Sequence, residues 1–174
     1  MADPGPVEFV IEPLGPSHDR NSFNCGTAAL NTYLQEQARR DMDRKVAVVY
    51  VLRPSDKRSE IAGFYTLSAT SLKLGDLPGD IIKRLPKYPA IPATLVGRLA
   101  TSLNYRGQRL GERLLVDALQ RSLGNSESVA SFAVIVDAKD ESSAGFYEKY
   151  GFTRLVDSPF RFFMTMKSMA ANFV

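Results

Sequence analysis

Residues 93–167 alternate apolar runs with amphipathic ones, and this alternation constrains the fold more than any other feature of the chain. Residues 93–101 predict a strand, 110–123 a helix and 132–136 (Phe-Ala-Val-Ile-Val) a buried strand. A helix over 140–150 closes at Gly151, and 160–167 predicts a final strand. Strand–helix–strand–helix–strand implies a mostly parallel arrangement in this half, with hairpins elsewhere.

The first half is less regular. Residues 7–14 read as a strand stopped by Gly15-Pro16, and a helix over about 27–42 follows Gly26. Leu30, Tyr33, Leu34, Gln37 and Ala38 fall at helical spacing, so most of one face is apolar. Residues 46–52 and 61–68 predict two strands, joined by a polar turn over 54–60 into a hairpin. Residues 75–92 carry Pro78, Pro86, Pro89 and Pro92 around a short helix near 80–85, an irregular stretch suited to a substrate-side loop. The whole predicts an α+β fold with one central mixed β-sheet flanked by helices.

At 174 residues and 44% hydrophobic content the chain suits one ordinary domain with its own core. One cysteine, Cys25, excludes an intrachain disulfide, and with a single His18 no metal site is expected. Cys25 lacks a His partner and precedes a helix, which makes it a packed thiol, and His18 in its polar loop reads as solvated. The N-terminal MADPGPVEF has no secretory-signal pattern and no apolar run reaches membrane length, so the expected location is cytoplasmic. The net charge of +3 permits an anionic partner without demanding one. The basic residues concentrate in two clusters, Arg39/Arg40/Arg44/Lys45 and Lys83/Arg84/Lys87, either of which can meet phosphates.

The strand over 93–101 ends in Gly97-Arg98-Leu99-Ala100-Thr101 and leads through Asn104-Tyr105 into Arg106-Gly107-Gln108-Arg109-Leu110-Gly111-Glu112. A glycine-bearing turn opening a helix turns successive N–H groups, and the positive end of the helix dipole, toward a phosphate. Gly107 and Gly111 allow close approach, and Arg106 and Arg109 add charge. It is neither a P-loop nor a dinucleotide fingerprint, and by itself it describes any turn before an amphipathic helix.

With the later segment Ser142-Ser143-Ala144-Gly145-Phe146-Tyr147-Glu148-Lys149-Tyr150-Gly151-Phe152, the sequence resembles the GNAT superfamily of N-acetyltransferases. That family pairs an Arg/Gln-x-x-Gly-x-Gly/Ala loop with a helix reading Ala-x-x-Phe-Tyr-x-x-x-Gly-Phe. The chain departs from the pattern twice: Arg109 replaces the central glycine, and one residue rather than two separates Ala144 from Phe146. An arginine at 109 demands an ordinary φ, so the turn is expected to differ there or to tolerate the side chain.

The resemblance implies a single GNAT acetyltransferase domain over 1–174 that uses acetyl-CoA as co-substrate. It sets Arg106, Gly107, Gln108, Arg109, Leu110, Gly111 and Glu112 at the pyrophosphate and Leu99, Ala100 and Thr101 along the pantetheine arm. Ser143 and Phe146 join the cofactor contacts. Tyr147 becomes the acid that protonates the departing thiolate, its periodicity alone giving core packing beside Phe146, Tyr150 and Phe152. No strong general base is evident; an α-amine of pKa about 7.7–8.0 is lowered further by an ester neighbour, so much of it is neutral near pH 7 and a water-mediated or absent base suffices.

The N-terminal half narrows the resemblance. Phe23-Asn24-Cys25-Gly26, Leu30-Asn31-Thr32-Tyr33-Leu34, Gln37-Ala38, Asp41 and Gly97-Arg98-Leu99-Ala100 are similar to the bacterial GNAT toxins of toxin–antitoxin pairs. This likeness covers roughly residues 12–167. It implies acetylation of the α-amine of aminoacyl-tRNA, a block to translation, homodimers and neutralisation by a ribbon-helix-helix antitoxin. The two basic clusters and Arg98 then become candidates for tRNA phosphates. The alternatives are acetylation of a small-molecule amine or protein N-terminus, and a non-catalytic binding module on the same scaffold.

Overall fold

Two-residue alternation at the start of Val48–Pro54 leaves Val49 and Val51 fully buried and Val48 exposed, and the adjacent Leu52, also fully buried, shows that the opposite face of the strand is covered further along. The structure, a computed structural model, describes residues 2–3 and 5–173; Met1 and Pro4 of the N-terminal stretch, and Val174, lie outside the described residues. The strands are β1 (Phe9–Pro13), β2 (Val48–Pro54), β3 (Gly63–Lys73), β4 (Ala90–Thr101), β5 (Ala133–Asp137), β6 (Thr153–Leu155) and β7 (Ser158–Thr165). The helices are α1 (Ala28–Thr32), α2 (Ala38–Asp43), α3 (Gly79–Ile82), α4 (Leu110–Asn125), α5 (Glu141–Lys149) and α6 (Met166–Asn172). The strands form one mixed sheet of order β1-β2-β3-β4-β5-β7-β6, the α+β architecture expected.

Parallel pairing is scarcer than the alternation implied. β4 pairs with β5 in parallel over Ala93–Val96 and Ala133–Val136, but β5 pairs with β7 antiparallel. The physical reason lies after α5. The chain enters β6 as a crossover strand, turns back at Asp157, whose φ is +61°, and inserts β7 between β5 and β6. The last strand also ends early. The Thr165 side chain accepts a hydrogen bond from the Ser168 N–H at 3.1 Å and so starts α6, where continued strand was expected to Lys167.

Packing divides the chain into two units: the residues up to Thr66 with Arg98–Asp117, and Leu67–Gly97 with those from Ala118 on. In the first, Leu34, Ala38, Val49, Val51, Phe64 and Ala100 build a core against which Cys25, Leu30 and Met42 pack. In the second, Leu72, Ile91, Ala133, Ile135 and Phe163 do the same. Burying each such large aliphatic or aromatic side chain contributes roughly 1.5–3 kcal/mol.

The expected helix over 27–42 is present, with an interruption. Between α1 and α2 the residues Tyr33–Gln37 form a π-helical turn. His18 is buried, not solvated: its Nδ1 accepts the Gly15 N–H at 2.9 Å and its Nε2 donates to Glu12 at 2.8 Å. Glu12 also accepts from Arg53, which holds its carboxyl below the usual carboxylate range. Cys25 is the packed thiol expected, its Sγ donating to the Thr27 carbonyl at 3.6 Å.

Candidate active site

In the first unit β4 delivers its C-terminal residues to a turn and then to α4. The β4–β5 ladder ends at Val96, whereas β4 itself runs on to Thr101. Leu99 and Thr101 are half-buried and Ala100 is buried in the core. Past Thr101, the Ser102 hydroxyl accepts the Asn104 N–H at 3.2 Å and shapes the short turn Leu103–Tyr105.

The segment from Arg106 to Glu112 has the geometry of an anion cradle. Gly107 has φ +79° and Arg109 has φ +55°, while Gln108 between them is not left-handed. Left-handed residues in a turn that opens a helix help to bring successive N–H groups to one side. None of the N–H groups from Gly107 to Glu112 donates to a described residue, as befits a helix start whose first four donors lack intrahelical partners. A Cβ built on Gly107 would meet nothing within 4 Å, so its left-handed φ rather than crowding is what favours glycine there. Residues 106–109 are exposed, Leu110 is buried and anchors α4, and Gly111 and Glu112 are half-buried. The turn has therefore not relaxed to accommodate Arg109. The arginine adopts the left-handed conformation itself, contrary to the ordinary φ expected of its side chain, at a strain of about 1–2 kcal/mol. Arg106 lies beside the loop before α1, its Nη2 3.9 Å from where a Gly26 Cβ would stand.

The same unit gathers a second group. The Arg98 guanidinium lies 3.6 Å from the centroid of the Tyr33 ring. The Tyr33 hydroxyl donates to Asp41 at 2.9 Å, and Gln37 donates to the other Asp41 oxygen at 2.8 Å. The Gln37 bond above all, then Tyr33 and the charges of Arg98 and Arg44, keep the Asp41 carboxyl low. Burial, followed by the bond to Asp41, pushes the Tyr33 hydroxyl up to about 12. Arg98 thus joins Arg44 around Asp41. Of the α2 cluster, Arg40, Arg44 and Lys45 are exposed, and Arg39 and Lys45 border a shallow depression with Met42 and Asp43.

In the second unit α5 fixes Tyr147. Asp140 caps the helix by accepting the Ser143 N–H at 2.8 Å, and Gly151, at φ +94°, ends it. The Gly151 N–H donates to the Glu148 carbonyl and the Phe152 N–H to the Tyr147 carbonyl, the paired bonds of a Schellman cap. Such caps bring the residue after the glycine onto the last full turn, and Phe152 packs edge-on against Tyr147 at 5.6 Å between centroids. The motif Tyr-x-x-x-Gly-Phe is therefore the device that pins this tyrosine. Phe146 meets Tyr147 edge-on at 5.3 Å, and Ala144 beneath is fully buried.

Tyr147 is 5% exposed, and burial, then the charge of Asp137, pushes its hydroxyl up to about 12. The hydroxyl makes no hydrogen bond to a described residue, yet no buried polar side-chain atom is left unsatisfied among them, so its oxygen reaches the surface. The result is a neutral phenol with an uncommitted proton. Lys83, Arg84 and Lys87 are exposed around and beyond α3. Arg84 and Lys167 border a groove of about 770 Å³ that also includes Ile81, Leu85, Phe132 and Thr153.

Sequence reasoning missed the roles of Tyr33 and Gln37 beside Arg98, and of Asp137 beside Tyr147. Tyr33 reads as one more apolar position on a helix face, and its spacing to Asp41 fits no regular helix.

The family model described as acetyltransferase (GNAT) domain matches residues 91–170. Over 97% of this chain and 97% of the relative, the sequence is 30% identical to a protein named Probable toxin TacT from Sinorhizobium fredii (strain NBRC 101917 / NGR234). Among solved structures, AtaT complexed with acetyl-methionyl-tRNAfMet superimposes with a TM-score of 0.89 at 29% identity, covering 96% of this chain and 100% of that one. A mutant of the toxin AtaT bound to the C-terminus of the antitoxin AtaR and acetyl-CoA gives 0.80 at 26% identity, covering 95% and 98%. By whole-length identity and fold alike, this chain belongs to the GNAT family of acetyltransferases, whose acetyl donor is acetyl-CoA.

Proposed function

We propose that residues 1–174 act as one GNAT domain that transfers acetyl from acetyl-CoA to the α-amine of aminoacyl-tRNA, blocking translation as a toxin. The observation that carries the chemistry is the Tyr147 hydroxyl, protonated, pinned by the Schellman cap and bonded to no described residue. The amine lone pair attacks the thioester carbonyl, and a backbone N–H of the Leu99–Thr101 stretch donates to the oxyanion that forms. As the carbon–sulfur bond breaks, Tyr147 gives its proton to the sulfur and regains one from solvent, while the amide sheds its extra proton to water.

The unpaired N–H groups from Gly107 to Glu112 take the pyrophosphate, with Gln108 and Leu110 contributing backbone and Arg106 and Arg109 charge. Leu99, Ala100 and Thr101 offer strand edge to the pantetheine arm, and Ser143 and Phe146 complete the donor contacts. The tRNA substrate rests on the relationship to AtaT and on cations: exposed Arg40 with half-buried Arg39 on α2, exposed Arg44 and Lys45 just after it, and exposed Lys83, Arg84 and Lys87 near α3. The AtaT–AtaR relative supports an antitoxin partner; a ribbon-helix-helix type for it and a homodimer of this chain complete the reading, and the substrate makes the cytoplasm its place of action. Among the described residues no helix is long and apolar enough to cross a membrane.

The test supplies labelled acetyl-CoA and total aminoacyl-tRNA to the purified protein, beside Tyr147→Phe and a polyamine control. Label in the aminoacyl fraction that vanishes in the mutant is the expected result. Label in the polyamine alone would make this a small-amine enzyme, and none at all a binding module.

A further inference from the structure

Arg98 is held in an unusual way for a surface cation. It stands on β4 on the same face as Ala100, whose methyl lies in the core with Tyr33, Phe23 and Phe64. The aromatic rings of that core are layered: Phe23 meets Phe64 edge-on at 5.5 Å, and Phe64 stacks on Tyr33 at 6.3 Å and 17°. The Arg98 guanidinium lies over Tyr33 itself, 3.6 Å from the ring centroid. Its backbone is fixed as well, the N–H donating to the Thr66 hydroxyl at 3.1 Å.

What the guanidinium lacks is a partner at its edge. It is half-buried, enters no ion pair with a described residue, and spends its flat face on the ring. Asp41 is close enough to feel its charge, but that carboxylate is occupied by Tyr33 and Gln37. A stacked guanidinium keeps its five N–H donors in a planar fork, the arrangement that matches phosphate oxygens two at a time. Arg98 also directly precedes Leu99, about 3.4 Å along the strand, where the acyl group reacts in the reading above.

Resting on that reading, we propose that Arg98 binds the phosphate of the terminal nucleotide that carries the aminoacyl group, and that Tyr33 and Asp41 are the positioning residues that hold its fork at the required angle. The nearest anion to the reacting amine in an aminoacyl-nucleotide is that phosphate, so one arginine beside the reaction centre sets the distance between acceptor end and thioester. Asp41 anchors the ring through the Tyr33 hydroxyl and adds its charge beside the guanidinium, and the ring orients the fork.

The test compares puromycin, an aminonucleoside with an α-amine and no phosphate, with puromycin 5′-phosphate. Both are measured as competitive inhibitors of aminoacyl-tRNA acetylation, so neither needs to be a substrate itself. The wild type should bind the phosphorylated compound at least tenfold more tightly. Arg98→Ala should erase that ratio. Arg98→Lys, which keeps the charge and loses the fork, should restore only part of it. Tyr33→Phe should shrink it a few-fold, and Tyr33→Leu should shrink it further. A thermal melt accompanies each variant, and the ratio of two inhibition constants on one protein is insensitive to the fraction folded. A wild-type ratio near one, or a ratio kept by Arg98→Ala, would overturn the assignment while leaving aminoacyl-tRNA acetylation intact. Failure of the wild type to acetylate any aminoacyl-tRNA would remove the functional reading, and this assignment with it.

Discussion

Asp137 and Arg161, register partners on β5 and β7, are joined by two parallel hydrogen bonds, Nε to Oδ1 at 2.8 Å and Nη2 to Oδ2 at 3.1 Å. The carboxylate so fixed is also the charge that, after burial, raises the Tyr147 hydroxyl. Asp137→Asn removes the charge while leaving an acceptor for Arg161. Acetyl transfer should then lose its alkaline limb at lower pH than in the wild type, whose acid stays protonated to about 12. Tyr147→Phe should lower kcat by roughly 10²–10⁴-fold with acetyl-CoA affinity unchanged. Rate–pH profiles and calorimetric titration with acetyl-CoA decide both, and full activity in Tyr147→Phe would remove the residue from the mechanism.

Stability should fall at high pH for a related reason. The folded hydroxyl of Tyr147 is raised above the unfolded value of 10 to about 12, so the unfolded chain gives up this proton first. The contribution is complete below pH 10 and disappears between about 10 and 12, at up to roughly 1.4 kcal/mol per pH unit. Tyr147→Phe should flatten that decline in urea titrations at pH 8, 10 and 11. An equal slope in the mutant would assign the loss to other groups.

Arg109 and Lys45 share a left-handed backbone, at φ +55° and +60°. Lys45 follows α2 within a Schellman cap, its N–H donating to Met42 and that of Val46 to Asp41. Glycine at either site relieves about 1 kcal/mol of strain and returns most of it as unfolded-state entropy. Lys45→Gly and Arg109→Gly should each change the melting temperature by no more than about 2 °C, upward. Only Arg109→Gly should weaken acetyl-CoA, by about three- to tenfold. Unchanged affinity would mean that the backbone of the turn binds the pyrophosphate without this side chain.

The exposed cations on and just after α2 should act on RNA as a group. Arg40→Glu with Arg44→Glu should weaken aminoacyl-tRNA binding at least tenfold. The slope of log affinity against log salt should drop by roughly 0.7–0.9 for each phosphate no longer neutralised. The same pair should leave the acetyl-CoA affinity alone. Identical tRNA affinity at every salt concentration would move the RNA surface elsewhere.

The elements legible in the sequence are those written by local chemistry. The strand over 132–136, the α5 helix with its Gly151 stop and the turn entering α4 each follow from side chains within a few residues, and each is present. What escapes depends on partners distant in the chain. Nothing local distinguishes a parallel from an antiparallel neighbour for β5, and β6, at three residues, is too short to show a period. His18 is polar in a polar loop, and only Glu12 and Gly15 folding around it make it buried. Of the site, Tyr147 is visible as a motif residue, but the Schellman cap that fixes it is a matter of backbone geometry. Arg109 is out of place by pattern, yet it is the arginine and not the turn that yields, because seven consecutive residues of turn and helix start outweigh one side chain's preference.

The π-helical turn at Tyr33–Gln37 makes this helix lenient toward one change of length and strict toward the opposite one. Tyr33 and Asp41 are eight positions apart, which in an unbroken α-helix would set them about 80° from each other. The widened turn absorbs one surplus residue and leaves them within about 20°. Deleting one residue between 34 and 37 would leave seven positions of plain α-helix, again about 20° apart, so the carboxylate would still face its phenol. Inserting one, with no second widened turn to take it up, would swing Asp41 about 100° round the axis and cut Arg98 loose from its support. Chains of this kind should therefore lose a residue in this stretch far more readily than they gain one.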